Sequence, residues 1–222
     1  MCGVFGFVQT DTERSVDLPR LRHIARVTES RGRHAFGLIW LDPLGNVHTW
    51  KKPGSATQHI DQLDACADAT VIIGHCRWAT HGSFEDNRNN HPHVAWNNGW
   101  YVHNGVVHNH DELTRKFELT RKTECDTEVL GLLLGKFKGT LTARTVATIN
   151  EVRGPLVMLG LWAKKRQVLL ARSGNPLCYA RHREGLYLAS LPTGLGANVK
   201  TFPDDTVEVL DLAKIQATAA KA

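Results

Sequence analysis

The segment from residue 71 to residue 82 reads Val71-Ile72-Ile73-Gly74-His75-Cys76-Arg77-Trp78-Ala79-Thr80-His81-Gly82. Its first three residues are an apolar run typical of a buried strand, and polar and aromatic side chains follow directly behind it. The polar stretch continues to Asn98 without a clear period, and a stretch of that length inside a compact domain is usually functional. The segment therefore predicts a core strand that ends in a site.

Strands and helices are predicted on both sides of this segment. The predicted strands are residues 2–8, 36–40, 47–51, 71–73, 100–102, 156–162, 167–171, 177–180, 186–190 and 206–210, and the predicted helices are residues 17–29, 57–68, 111–118, 126–137 and 143–152. The continuous apolar run Leu156-Val157-Met158-Leu159 is typical of a strand covered on both faces. Sheets covered by helices indicate a layered α+β architecture. We expect one domain over residues 1–222, with a flexible Ala/Lys-rich tail at 213–222.

The composition is that of an ordinary globular protein. The chain has 222 residues, of which 42% are hydrophobic and 22% charged. It has no apolar run long enough to span a membrane and no signal-peptide pattern, so we expect a cytoplasmic protein. The net charge of +5 is not concentrated in a basic block, which gives nucleic-acid binding little support. The five cysteines lack CxxC spacing, so reduced thiols are expected.

Several of the twelve histidines cluster in the middle of the chain. These are His91, His93, His103, His108 and His110. A metal site needs three or four converging ligands, and the cluster lacks the helical i, i+4 spacing of zinc-protease motifs. The prediction from sequence is therefore that the chain has no metal site.

The second residue of the chain is a candidate nucleophile. Once Met1 is removed, Cys2 carries a thiol and a free α-amine in one residue. That amine has a reference pKa of about 7.7–8.0, so it can act as a general base near neutral pH. We expect an accessible thiol of low pKa that peroxide oxidises readily. The alternative is a small residue that merely begins a strand.

Cleavage of a carboxamide by Cys2 needs donors for the developing oxyanion. Asn104 and Gly105, at the end of a predicted strand, offer a side-chain amide and a backbone N–H in a small space. The alternative interpretation of the same dipeptide is a hairpin turn.

A free amino acid as substrate needs a clamp for its carboxylate and its ammonium. Arg77 suits the carboxylate because its planar fork binds both oxygens, and Asp126 suits the ammonium. A surface ion pair for Arg77 and a helix N-cap for Asp126 are the alternatives. Thr80 and His81 are close enough in sequence to line the same pocket, and Trp78 is placed to cover it.

Taken in order, these segments resemble the glutaminase domain of class II glutamine amidotransferases, which are N-terminal nucleophile hydrolases. Within that group the resemblance is strongest to the glutaminase domain of glucosamine-6-phosphate synthase, and it runs from Met1 to about Leu212. It rests on the motifs MCG, RGRHAFG, GHCRWATHG, HPH, VHNGVVHNH, CDTEV and ARSGNPL. RWATHG is the most specific of these.

The resemblance implies a role for each matching residue. Cys2 is the nucleophile, with its own α-amine as base and then acid, and Asn104 and Gly105 form the oxyanion hole. Arg77 holds the glutamine carboxylate and Asp126 its ammonium. The remaining matches are Thr80 and His81 lining the glutamine site, Trp78 beside it, Arg31 ordering the N-terminus, and His91 on a loop near the pocket.

The resemblance also implies a fold, a reaction and a partner. The fold is a four-layer αββα sandwich. The reaction is hydrolysis of L-glutamine to L-glutamate and ammonia through a γ-glutamyl thioester, with no metal or organic cofactor. The relatives continue into a synthase part that consumes the ammonia, and this sequence has no such part. We therefore expect an ammonia acceptor on another domain or another protein, and the oligomeric state stays open.

Two other functions remain open at this point. One is an N-terminal cysteine hydrolase of a different amide, such as an acylated amine. The other is an amidotransferase-like module that binds a partner or an amino acid without turnover. Residues 87–98 are rich in Asn and His, and members of the family use this region near the pocket rim. One interpretation is a change in substrate gating, and the alternative is neutral variation of a loop.

Overall fold

Two antiparallel sheets pack face to face, and helices cover the outer face of each. A computed structural model describes residues 1–219, with side chains described as far as residue 215. One outer layer is helix α1 with a 3₁₀ segment, and the other contains α2, α3 and α4. This is the four-layer αββα sandwich expected from the sequence.

The first sheet has seven strands in the order β11-β9-β10-β1-β4-β2-β3, and the second has five in the order β12-β8-β7-β6-β5. The strands are β1 (Gly3–Gln9), β2 (Ala35–Leu41), β3 (Val47–Pro53), β4 (Val71–Arg77), β5 (His93–Ala95), β6 (Gly99–Gly105), β7 (Leu156–Trp162), β8 (Gln167–Ser173), β9 (Cys178–Arg181), β10 (Gly185–Ala189), β11 (Lys200–Thr201) and β12 (Thr206–Asp211). The α-helices are α1 (Leu18–Glu29), α2 (His110–Lys116), α3 (Glu128–Lys136), α4 (Leu141–Glu151) and α5 (Leu212–Ala219).

Strand β1 shows why the layers stack in this way. All seven of its residues are buried, and their side chains alternate between the two faces of the sheet. Phe5 and Phe7 pack in the outer core beneath α1, whereas Val4 and Val8 pack in the central core between the sheets. Gly74 of β4 lies opposite Phe5, and a Cβ there would overlap the Phe5 ring.

Helix α1 begins with a capped N-terminus. The Asp17 carboxylate accepts a hydrogen bond from the Arg20 backbone N–H at 3.0 Å, and a proline occupies the first turn. Leu21, Ile24 and Ala25 form the face that packs on the sheet. The helix ends at Glu29, which leads the chain to Arg31 beside the N-terminus.

Most predicted elements are confirmed, and three differ. Residues 57–66 form a 3₁₀ segment with non-helical backbone at His59, not an α-helix. The polar stretch contains two short 3₁₀ turns, Asn87–Asn89 and Trp96–Asn98, on either side of β5. Helix α5 covers much of the predicted flexible tail, and the rest of that expectation, residues 220–222, lies outside the described residues. Among the described residues, no helix has the length and apolar character needed to cross a membrane.

Candidate active site

A cavity of about 310 Å³ opens where β1, β4 and β6 come together. It is lined by Met1, Cys2, Trp78, Thr80, Asn104, Gly105, Val106, His108, Pro155 and Asn175. Five of these are residues that the sequence predicts for the site: the nucleophile, both members of the oxyanion pair, and Trp78 and Thr80. The fold therefore brings together residues more than a hundred positions apart in the chain.

Cys2 directly precedes β1, an interior strand of the first sheet, and is held there by contacts from Trp78 and Arg31. The Trp78 backbone N–H donates to the Cys2 Sγ at 3.3 Å, and Arg31 Nε donates to the Cys2 carbonyl oxygen at 2.7 Å. The β1–β4 register pairs Gly3 with Cys76, so the end of β4 reaches the nucleophile. The contact from Arg31 agrees with a role in ordering the N-terminus.

The Cys2 thiol differs from the accessible, low-pKa thiol expected from sequence. Its residue is 8% exposed, and burial raises the pKa of the thiol above its ordinary value. Burial is the largest effect on that pKa. Three groups lower it, namely the Trp78 backbone N–H, the ammonium of Met1 and the Arg77 guanidinium, and Asp126 raises it. The thiol therefore needs a base at the moment of attack, and ready oxidation by peroxide no longer follows from its environment.

Asn104 and Gly105 end strand β6 and do not form a hairpin turn. Asn104 pairs with Val157 and Gly105 with Leu156 on β7, which continues the ladder. Asn104 is fully buried, and neither its Oδ1 nor its Nδ2 has a hydrogen-bond partner among the described residues. A buried amide without a partner is costly, and such a group in a native structure calls for an explanation. Here the amide lines the same cavity as the thiol.

The close packing around Gly105 leaves no space for a side chain. A Cβ at this position would overlap the Pro155 carbonyl oxygen and crowd the His103 ring. Gly105 lines the cavity next to Asn104.

Arg77 is buried, so it is not part of a surface ion pair. It is 2% exposed, and its guanidinium donates to Asn90 Oδ1 at 2.8 Å and to the carbonyl oxygens of His81 and Gly82 at 2.6 and 3.2 Å. A guanidinium has five N–H donors, so two remain after these three hydrogen bonds.

Asp126 is likewise buried, and it does not cap the helix that follows it. It is 3% exposed, its Oδ2 accepts from the Val107 N–H at 2.7 Å, and Thr127 occupies the N-cap position of α3 without a side-chain cap bond. His81 Nδ1 lies 3.6 Å from Asp126 Oδ1. Arg77, His81 and Asp126 are outside the set of residues that line the cavity.

Aromatic rings border the cavity on the solvent side. Trp78 is 49% exposed, and its ring stacks on the His34 ring at 4.7 Å between centroids. Phe84 stacks on the same histidine at 4.9 Å. Thr80 is exposed beside them. This places Trp78 beside the pocket, as the resemblance implies.

His91 lies on the short loop that leads into β5, and its side chain is buried in the interior. It is 3% exposed, its ring stacks on the His75 ring at 3.8 Å between centroids, and its Nε2 lies 3.1 Å from Thr127 Oγ1. Asn89, Asn90 and His93 are buried with it. Because Asn90 accepts a hydrogen bond from the Arg77 guanidinium, part of the Asn/His-rich stretch contacts a residue predicted for the site.

Burial keeps the histidines of this interior cluster neutral. It lowers the pKa of His75 to about 3 and of His103 to about 4, and it lowers the pKa values of His91 and His93 well below the ordinary value. A neutral imidazole offers one nitrogen donor and one acceptor.

Asn175 is the site residue that the sequence did not reveal. It follows β8, and its Nδ2 donates to the carbonyl oxygens of Asn104 at 2.8 Å and Pro155 at 3.2 Å. It therefore fixes the end of β6 from a position 71 residues further along the chain. The motif ARSGNPL contains it, but no local pattern indicates that its amide crosses to Asn104.

We expect Asn175→Ala to lower kcat for the glutamine hydrolysis that the resemblance implies by roughly 10- to 100-fold, because Asn104 loses the hydrogen bond that sets its position. Steady-state kinetics with glutamine measures this. Asn150→Ala is the matched control, since Asn150 is exposed on α4 away from the cavity. Equal loss in the two variants would contradict the positioning role.

The layers and the position of the cysteine define the class of the protein. A four-layer αββα sandwich with a cysteine at the start of a central strand is an N-terminal nucleophile hydrolase fold. Two solved structures share it: a glutamine phosphoribosylpyrophosphate amidotransferase from B. subtilis (TM-score 0.73, 20% identity, covering 95% of this chain and 49% of that one) and a glutamine aminotransferase class-II domain protein from Silicibacter pomeroyi (TM-score 0.62, 14% identity, covering 95% and 99%).

The chain belongs to the glutamine amidotransferase domain family, whose model matches residues 75–197. It is 32% identical to a glutamine–fructose-6-phosphate aminotransferase of Leifsonia xyli over 97% of its own length and 35% of the relative's. It is 34% identical to the enzyme of the same name from Geobacillus kaustophilus, over 96% of this chain and 33% of the relative. The chain thus spans about a third of the length of these curated relatives.

Proposed function

We propose that this chain hydrolyses L-glutamine to L-glutamate and ammonia through a γ-glutamyl thioester on Cys2. The observation that carries the proposal is the buried, unpartnered amide of Asn104 on the wall of the cavity that also holds the Cys2 thiol. An amide in that position, beside the Gly105 N–H, is the donor pair that a tetrahedral oxyanion requires.

The chemistry begins with removal of Met1, which frees the α-amine of Cys2. The amine takes the thiol proton, and the thiolate sulfur attacks the side-chain carbonyl carbon of glutamine. The carbonyl electron pair moves to the oxygen, where Asn104 Nδ2 and the Gly105 N–H stabilise the negative charge. When the C–N bond breaks, the ammonium of Cys2 returns its proton to the leaving nitrogen, and ammonia departs.

Water then cleaves the thioester with the same groups. The α-amine removes a proton from water, the hydroxide attacks the acyl carbon, and the same two donors stabilise the second oxyanion. The C–S bond breaks, the sulfur regains a proton from the ammonium, and glutamate is released. A protonated thiol is a weak nucleophile, so this amine is needed as a base and then as an acid in both half-reactions.

We assign the amino-acid head group to the pair of buried charges next to the cavity. The two remaining N–H donors of Arg77 suit the carboxylate, and Asp126 Oδ1, beside His81, suits the ammonium. Both charged residues also act electrostatically on the Cys2 thiol. An acylated amine has no use for this pair.

N-acetyl-L-glutamine tests the head-group assignment without altering the protein. We expect its kcat/KM to be at least about 100-fold below that of L-glutamine, because acetylation removes the ammonium and leaves Asp126 buried without its partner. Ammonia release from the two compounds measures the ratio. Comparable values would favour the alternative of a hydrolase that acts on other amides.

We further infer that residues 1–222 act as one domain that passes ammonia to an acceptor on another domain or protein. The central core that both sheets share supports a single domain. The length of the relatives, about three times that of this chain, supports an accepting synthase part elsewhere. We expect the protein to work in the cytoplasm.

A labelling experiment tests the function even if turnover requires the acceptor. A glutamine analogue with a diazoketone in place of the amide should alkylate Cys2 and no other thiol, as shown by peptide mass spectrometry, and excess L-glutamine should slow the labelling. In parallel, glutamate and ammonia should appear in equal amounts from L-glutamine. Labelling elsewhere, or labelling that glutamine does not slow, would exclude the proposed site.

A further inference from the structure

We propose that His91, His93 and Cys125 form a binding site for Zn²⁺ in the core directly behind the residues assigned to the glutamine head group. Each of the three offers one ligand atom, and these atoms lie within 4.8 Å of one another. The residues are 3%, 5% and 2% exposed. The sequence did not predict this site, because the histidines and the cysteine are more than thirty residues apart and follow no metal-binding spacing.

Each imidazole has one nitrogen engaged in a polar contact and one nitrogen that is buried without a partner among the described residues. His91 uses Nε2 towards Thr127 Oγ1 at 3.1 Å, and His93 forms a backbone hydrogen bond with Asn89. The other nitrogen of each ring, Nδ1 of His91 and Nε2 of His93, is buried and has no partner among the described residues. A metal-bound histidine typically donates its second N–H to an oxygen in this way, which fixes the tautomer.

Thr127 joins His91 to a further histidine. Its Oγ1 also lies 2.9 Å from His103 Nδ1, so one hydroxyl bridges the two rings. When His91 Nε2 carries the hydrogen, the Thr127 hydroxyl accepts a hydrogen bond from His91 and donates one to His103 Nδ1. This order leaves the lone pair of His91 Nδ1 free for a cation.

Two imidazoles and a thiolate are ligands that zinc prefers. Zinc–nitrogen and zinc–sulfur distances of about 2.0 and 2.3 Å place tetrahedral ligand atoms roughly 3.3–3.7 Å apart, so the three groups would approach by about 1 Å on binding. Binding replaces the S–H bond with an S–Zn bond and releases one proton to solvent. The fourth position is left for water.

Charged groups on the neighbouring elements set limits on affinity. Arg77 and Lys51 face the cluster and oppose a cation, whereas Asp126 and the new thiolate favour one. The Lys51 ammonium is itself tied to the carbonyl oxygens of Asn90 and Pro92 at 2.6 and 3.0 Å. The Lys51 ammonium is therefore stabilised by two carbonyl oxygens that are separate from the three proposed zinc ligands.

The position of the site suggests what the ion would do. It would link the segment containing Asn90 and His91 to the segment containing Cys125 and Asp126. The first segment holds Arg77 and the second supplies the carboxylate, so the ion would fix both halves of the head-group clamp. This consequence rests on the proposed function, whereas metal binding itself does not.

Cobalt(II) is the probe for the test, because thiolate coordination gives a charge-transfer absorption band. The full chain carrying Cys2→Ala is titrated, so that the nucleophile does not bind the ion. We expect one Co²⁺ per chain, a thiolate band, and stoichiometric displacement by Zn²⁺. Cys125→Ser should abolish the band, and His93→Gln should weaken Co²⁺ binding at least 10-fold while the circular dichroism spectrum shows a folded chain. Thr127→Val should weaken it by roughly 10- to 100-fold.

The control variants are Cys178→Ser and His23→Gln. Cys178 is a buried thiol in the outer core and His23 is exposed, so both should bind Co²⁺ as the parent does. A band that survives Cys125→Ser would overturn the proposal. The absence of any thiolate band would also overturn the proposal. It would mean that buried water alone supplies the hydrogen-bond partners of the two histidine nitrogens. Because the readout is spectroscopic and uses an inactive chain, failure here is distinct from failure of the glutaminase proposal.

Discussion

Replacement of Cys2 by alanine is expected to lower glutamate release from glutamine by a factor on the order of 10⁴–10⁶. The variant loses the atom that forms the thioester, and the surrounding donors cannot hydrolyse the amide at a comparable rate. Affinity for glutamine should change little, because Arg77 and Asp126 remain in place. Single-turnover and steady-state assays measure the rate, and calorimetry measures the affinity.

Cys66→Ala is the matched control for this variant. Cys66 is buried in the outer core beneath the first sheet, away from the cavity, so its loss should leave kcat unchanged. Glutamate release by Cys2→Ala at the wild-type rate would exclude the thioester route.

The same argument applies to the residue in front of the nucleophile. A chain with one added glycine before Cys2 keeps the thiol but ties its amine into a peptide bond. Because burial raises the pKa of the thiol, the sulfur without that base stays protonated near neutral pH. The extended chain should therefore be as inactive as Cys2→Ala while it remains folded, and mass spectrometry of active wild-type protein should show that Met1 is absent.

The periodicity of the strands and helices is local, and it was sufficient to predict sheets covered by helices, whereas the four-layer order was implied by the resemblance. Strand β7 is a continuous apolar run, and β4 begins with one. The 3₁₀ segment at residues 57–66 was missed, since its apolar spacing fits an α-helix equally well. Helix type there depends on packing against α1, which local spacing does not encode.

The site was predicted less completely, and the missing parts are long-range contacts. Cys2, Asn104 and Gly105 could be proposed because their chemistry is local to each motif. The bond from Asn175 to Asn104 and the bond from Asn90 to Arg77 link separate strands and loops, so no spacing in the sequence indicates them. Burial of the thiol and of the histidines likewise depends on which loops fold inward, and this is why their pKa values were not foreseen.

Asn104→Ala is expected to lower kcat by about 10²–10³-fold with little change in KM. The amide assists only when negative charge develops on the carbonyl oxygen, so its loss affects the transition state and not the bound substrate. The ratio of kcat values from steady-state kinetics measures this contribution. Asn104→Asp should be at least as slow, because it removes the donor and adds a negative charge near the oxyanion.

Asn104→Ala should not destabilise the fold in the way that substitution of a buried polar residue usually does. Removal of a buried amide normally breaks hydrogen bonds and destabilises the fold, but neither Nδ2 nor Oδ1 of Asn104 has a partner to lose in the part of the chain that the structure describes. The free energy of unfolding should therefore stay within about 1 kcal/mol of wild type, or rise, in urea denaturation. A stability loss of several kcal/mol together with unchanged kcat would mean that the amide serves the fold. The expected result, a large loss of rate at almost constant stability, requires that the fold keeps this amide unpaired for the transition state.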